Sequence, residues 1–135
     1  MRKILFIVLM STTILSACSI VNPQADIPNL GESEWKLISI NGSPKALGGN
    51  AILKFDEKDN QISGIAACNN FTADYEMLRK AIKFGSIITT RKYCEGKMDE
   101  ENLIITNLQN VTRYDVKANM LYFYSQDHLL LTYRR

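Results

Sequence analysis

The side chains that could do chemistry here are few: three cysteines, a single histidine and some short acidic runs within 135 residues. The stretch GIAACNNFTADY, Gly64 to Tyr75, is the most suggestive. Its Cys68 could act as a thiolate nucleophile, a metal ligand or half of a disulfide. A nucleophile needs a base beside it. The lone imidazole, His128, lies far along the chain after Gln126 and Asp127, and reads most simply as a surface residue in a turn-like stretch. A structural zinc ion needs four ligands in spacings such as C-x-x-C. Cys68, Cys94 and His128 supply neither that number nor that spacing. A disulfide between Cys68 and Cys94 requires an oxidising compartment, and two buried free thiols are the competing arrangement. If formed, that bridge would contribute roughly 3–3.5 kcal/mol by restricting the unfolded chain.

The carboxylates are no more reactive in pattern. Asp74 and Glu76 are the best pair for a glycosidase, which needs only two flanking carboxyl groups, but an Asp-x-Glu in a strand or turn is usually just exposed. Asp99, Glu100 and Glu101 fall where a helix would begin, and the helix dipole favours negative charge there. Asp56 to Asn60 lacks the residue order of a calcium loop. No G-x-S-x-G, H-E-x-x-H or phosphate-cradling glycine loop is present. The expectation is therefore no enzyme: no catalytic residue, metal, cofactor or small-molecule substrate.

The third cysteine has a different setting. Met1-Arg2-Lys3 is positive, and Ile4 to Leu15 is a mostly apolar run, short of the roughly 20 residues that span a bilayer. Such a start reads as a cleavable export signal. It ends in Leu15-Ser16-Ala17-Cys18, which resembles a bacterial lipobox, where the cysteine is acylated and becomes the first residue of the mature chain. Two or more acyl chains hold a protein on a membrane durably. Ser19 resembles the sorting signal for an outer membrane. The expected division is a signal peptide over 1–17, a lipidated linker over 18–29 and one domain over 30–135. Of 16 basic residues, Arg2 and Lys3 would leave with the signal, matching 14 to the 14 acidic ones. No basic field for nucleic acid remains.

The domain reads as short strands broken by turns. Glu34 to Ile40 alternates, placing Trp35, Leu37 and Ser39 on one face, and ends at the turn Asn41-Gly42. Ala51 to Phe55 and Gln61 onward read as strands flanking a polar tip. Asn69 and Asn70 suit a tight turn, and Phe71 and Tyr75 are core anchors. Ala81 to Thr90 is β-prone, with Gly85 as a bulge or bend. Met98 to Val111 places Ile104, Leu108 and Val111 at helical spacing. Three more strands close the chain, separated by KAN and SQDH. The fold class expected is α+β: a mostly antiparallel, barrel-like sheet with one packed helix.

Trp35 to Gly42, the GIAACNNFTADY stretch and Ile82 to Cys94 together resemble the META domain family, to which the heat-shock lipoprotein HslJ belongs. The resemblance rests on Trp35, Leu37, Asn41, Gly42, Gly64, Cys68, Asn69, Phe71, Tyr75, Gly85, Thr90 and Cys94. The family often has glycine where this chain has Ala67 and Ala73. The resemblance implies a barrel with one helix, a Cys68–Cys94 staple with the asparagines turning the chain, and an envelope protein linked to stress or drug resistance without catalytic activity. A tethered domain of this kind would bind an envelope protein, with Tyr122, Tyr124 and Tyr133 as candidate patch residues. Inhibition of a secreted hydrolase such as lysozyme, or escort of an outer-membrane assembly subunit, are the alternatives.

Overall fold

The computed structural model describes residues 28–45 and 50–135. Cys18, the apolar leader and most of the linker lie outside the described residues. In chain order the elements are β1 (Trp35–Ile40), β2 (Ser43–Pro44), β3 (Ile52–Asp56), β4 (Gln61–Ile65), β5 (Asn70–Leu78), β6 (Ala81–Phe84), β7 (Ile88–Thr89), α1 (Met98–Gln109), β8 (Arg113–Lys117), β9 (Met120–Ser125) and β10 (His128–Arg134).

Eight of these strands close into an antiparallel barrel. Each pairs with the next in the order β1, β3, β4, β5, β6, β8, β9 and β10, and β10 returns to β1. The fold class is thus the barrel-like α+β sheet that the pattern implies. Closure leaves these strands without the long unpaired edge that would invite aggregation. An interior of eight strands is just wide enough for side chains to fill. Here they do: Leu53, Ile62, Ile82, Leu121, Phe123 and Leu131 are buried almost completely. Aromatic rings interlock among them, with Phe84 edge-on to Phe123 at 5.5 Å and Phe123 edge-on to Tyr133 at 5.9 Å. Edge-to-face contact places the positive rim of one ring on the negative face of another.

Local sequence explains most of this. Asn41 and Gly42 both take positive φ, 49° and 75°, as a two-residue hairpin turn between β1 and β2 requires. The alternation expected for β1 breaks, however. Its pairing with β10 shifts register between Leu37 and Ser39, so Ile40 is buried and Ser39 is only half-buried. A bulge changes which face follows. Gly85 is no bulge: it ends β6, its amide donating to the Asp74 carbonyl at 2.8 Å, and β7 then continues along β5. Helix α1 stops at Gln109, so Val111 reaches the core from beyond it.

The two ends of the barrel are closed differently. Ile104 and Leu108 of α1 are fully buried, and the helix packs against β10 and β6. At the opposite end the N-terminal segment folds under the barrel. Trp35 Nε1 donates to the Leu30 carbonyl at 2.9 Å, and the amides of Leu30 and Gly31 donate to Glu57 Oε1 at 2.7 and 3.0 Å.

One position tolerates no side chain. Gly64 of β4 faces Phe71 of β5; a Cβ there would run into the Ile52 carbonyl oxygen and lie 2.9 Å from the Phe71 ring. Gly64→Ala is expected to destabilise the barrel by about 1–3 kcal/mol, lowering Tm by roughly 5–15 °C in a thermal melt. A second expectation concerns pH. Asp115 accepts from Lys80 at 3.0 Å and lies 3.6 Å from Lys117. The Lys80 hydrogen bond, then the charges of both lysines, hold its carboxyl below the usual carboxylate range, against an opposing contribution from burial. A depressed folded pKa stabilises above the unfolded pKa and loses that effect as pH falls through the folded one. Asp115→Asn should therefore lower stability at neutral pH by at most about 1 kcal/mol, with the gap from wild type closing in strong acid when Tm is followed against pH.

Candidate functional site

The motif residues do not spread evenly over the barrel; four of them converge where α1 begins. The β4–β5 turn carries Cys68 and Asn69, and the segment after β7 carries Thr90, Lys92 and Cys94. Cys68 and Cys94 form a disulfide, their Cα atoms 6.0 Å apart across 26 residues of sequence. Neither sulfur is therefore free for nucleophilic or metal chemistry.

Beside the disulfide lies Asn69, only 1 % exposed. Its amide nitrogen donates to Glu101 Oε1 at 2.7 Å and to the Lys92 carbonyl at 2.9 Å. Its oxygen accepts from Thr90 Oγ1 at 2.7 Å and from the Lys92 amide at 2.8 Å. A primary amide offers two donors and two acceptor sites, and all four are used. The asparagine does not turn the chain by adopting a left-handed backbone; among the asparagines it is Asn41 and Asn60 that do so. Its side chain instead joins three segments, while Asn70 simply opens β5.

Glu101 completes the cluster and was not a candidate from its type alone. It is 5 % exposed, and its Oε2 accepts from the backbone amides of Cys68 and Asn69 at 3.1 and 2.6 Å. Every group that binds it is a donor, which suits an acceptor-only carboxylate. The sequence signal for its burial is spacing: residues 101, 104 and 108 share one face of the helix. Its neighbours differ: Asp99 is exposed, and Glu100 pairs with Lys45 at 3.0 Å. The acidic run is a helix start in two of its members and an internal brace in the third.

The remaining motif residues are structural in placement. Phe71 and Tyr75 point into the barrel, Tyr75 edge-on to Phe55 at 5.4 Å. Burial, with Glu57 and Asp56 adding to it, pushes the Tyr75 phenol up from its ordinary value. Trp35 sits at the opposite end, far from the asparagine cluster in the fold. Asp74 and Glu76 lie exposed on one face of β5, and Asp74 accepts from Gln61 at 3.3 Å. His128 is exposed at the start of β10. Of the three C-terminal tyrosines, Tyr133 is buried, and burial drives its phenol far above the ordinary range. Tyr122 and Tyr124 are half-buried, with the Arg113 guanidinium 4.1 Å from the centre of the Tyr124 ring. A three-tyrosine surface patch is thus not formed, because alternate residues of a barrel strand must face inward.

The outer surface offers relief instead. Between β6 and β8 only Ala81 and Arg113 are in register, since residues 85–112 are inserted there. A groove of about 710 Å³ runs past this seam, lined by Met77, Leu78, Ile82 and Val111, with Glu76 and Lys83 at its sides. Leu78 is 76 % exposed. Among the described residues no three His, Cys, Asp or Glu side chains gather as a metal would need, and no helix is long and apolar enough to cross a membrane.

The asparagine cluster predicts an unusual penalty. Asn69→Asp conserves volume but turns both donor positions into acceptors, facing Glu101 and the Lys92 carbonyl. It is expected to cost about 3–5 kcal/mol in denaturant unfolding at neutral pH, as an unpaired buried charge does, against about 1–2 kcal/mol for Thr90→Val.

A family model for the META domain matches residues 28–135. No curated protein matches the chain. Three solved structures are similar. One, by NMR, has 25 % identity and a TM-score of 0.63 over 85 % of this chain and 95 % of that one. A second NMR structure, from Burkholderia xenovorans, has 20 % identity and a TM-score of 0.64 over 78 % of this chain and 83 % of that one. A crystal structure of a DUF4847 family protein from Bacteroides vulgatus shares the fold at 12 % identity, with a TM-score of 0.62 over 78 % of this chain and 94 % of that one. With the barrel, the helix and the asparagine cluster all falling inside the matched span, this chain belongs to the META domain family.

Proposed function

We propose that this protein is a non-catalytic envelope lipoprotein, anchored through Cys18, whose META domain binds another envelope protein and so contributes to tolerance of envelope stress or drugs. The observation that carries the reading is where the reactive groups are placed. Cys68, Cys94, Asn69, Thr90 and Glu101 are all engaged in holding segments together. What faces outward is a groove with exposed Leu78 and half-buried Met77 on its lining, which suits binding rather than bond-making. The disulfide is consistent with export, because such bridges persist in oxidising compartments. The lipobox-like Leu15-Ser16-Ala17-Cys18 supplies the anchor, and Ser19 favours the outer membrane.

Four measurements test this. Intact mass of the protein from cells should show a mature chain starting at an acylated Cys18, and Cys18→Ser should move it from the membrane to the soluble fraction. Crosslinking in intact cells from a photoreactive group at Leu78 should capture one recurrent envelope protein. Capture of nothing but abundant porins and neighbouring lipoproteins would remove the binding role. Lysozyme is expected to retain full activity with equimolar protein; its inhibition would replace this reading with that of an inhibitor.

A further inference from the structure

At the barrel end opposite α1, three cations converge without an acid to answer them. Lys36 on β1 stands directly across from Arg134 on β10, both exposed. Arg135 follows, its amide donating to the Asn119 carbonyl at 3.0 Å and its guanidinium lying 5.1 Å from the centre of the Trp35 ring. These three line a cleft of about 750 Å³ with Ser33, Glu34 and Asn119. Glu34 is the one acidic side chain there, and Lys54 engages it at 3.0 Å. Among the described residues none of the three cations lies within ion-pair distance of a carboxylate.

Like charges directly opposite on paired strands repel, so an anion bridging Lys36 and Arg134 relieves that repulsion. Nor is it the local face of a generally basic protein, since the whole chain carries only +2. Arg135 is also held in advance: its stacking over buried Trp35 is a cation–π contact, which spares some of the entropy of ordering a free arginine. The chain before residue 28 joins at this same end, where Leu30 is tied beneath Trp35. Cys18 precedes residue 28 by ten residues, a reach of at most about 35 Å.

We propose that Lys36, Arg134 and Arg135 form a binding site for the phosphates of anionic lipid headgroups, seating this end of the barrel on the membrane. The choice of lipid over other phosphates rests on the anchored reading above. The ammonium and the two guanidinium groups supply donors for phosphate oxygens, and Arg135 brings the fork geometry that phosphate prefers. The helix, the disulfide and the asparagine cluster then face away from the bilayer.

The test uses the non-acylated chain from Ser19 onward, because the barrel closes on itself and buries its core within residues 30–133. Binding is measured by co-sedimentation with vesicles of pure phosphatidylcholine and of an equimolar mixture with phosphatidylglycerol. Binding to the mixed vesicles alone is expected, with loss in strong salt as screening shortens the field. Each cation near an anionic surface contributes about fivefold, so neutralising all three to glutamine should weaken binding on the order of 100-fold. Lys36→Gln with Arg134→Gln keeps the Arg135–Trp35 stack and should weaken it about 25-fold. Arg91→Gln with Lys97→Gln, both exposed at the helix end, should match wild type. Equal binding to neutral vesicles, or no loss in the double variant, would overturn the proposal. So would inorganic phosphate shifting the arginine side-chain NMR signals while vesicles of either kind fail to bind, which would mark a small-anion site. Since no acyl chain is present, this result stands apart from whether Cys18 is lipidated.

Discussion

The buried carboxylate of Glu101 is the interaction on which one end of the structure depends. A carboxylate at 5 % exposure, with no ion pair among the described residues, would be costly if left unanswered. Here it meets two backbone amides of the β4–β5 turn and the side-chain amide of Asn69. Hydrogen bonds to a charged acceptor contribute more than neutral ones. The same bonds fix the turn, so the helix start and the turn position one another. Remove either partner and the other becomes an unsatisfied polar group in the interior.

The need for such a brace follows from topology. Residues 85–112 are an insertion between β6 and β8, and the barrel closes around it with only one registered pair at that seam. Residues 85–97 bury no side chain fully, and Tyr93 is 81 % exposed. Ile87 packs against the core but hydrophobic burial there is slight, so polar and covalent ties must hold the segment. Asn69 grips it through Thr90 and Lys92, and the disulfide grips it through Cys94. By chain-entropy arithmetic a bridge closing 26 residues contributes about 3.5 kcal/mol. The two ties act on the same joint by different physics, one lost when sulfur is reduced and the other when a donor or acceptor is changed.

Much of the fold was legible because barrel strands follow local rules. Alternation placed Trp35 and Leu37 inward, Phe71 and Tyr75 were legible as core anchors, and Asn41-Gly42 announced a hairpin. The helix was legible from Ile104 and Leu108. What escaped had non-local causes. The bulge that buries Ile40 in place of Ser39 arises from the pairing with β10, some ninety residues away in sequence. Asn69 looked like a turn residue because asparagine usually is one, and its true partners lie at 90, 92 and 101. Glu101 was hidden inside a run whose other members do behave as a helix start. In each case a distant partner, which residue type does not reveal, decided the role. The tyrosines show the converse: type suggested a surface patch, but strand alternation buries Tyr133.

The two barrel ends then divide the labour. Among the described residues every buried side-chain nitrogen and oxygen has a partner; at the helix end the ties are redundant, and substitution is punished by lost stability. At the other end Leu30 and Trp35 are fixed through Glu57 and a single indole hydrogen bond, while the charges around them remain unanswered. A satisfied network has nothing left with which to recognise a ligand; an unsatisfied one does. The residues that carry the family resemblance lie in the satisfied network, in the barrel core or in its turns, so they explain why the chain folds. The residues that would give this protein its own contacts belong to the unsatisfied one, among exposed side chains that the motif does not include.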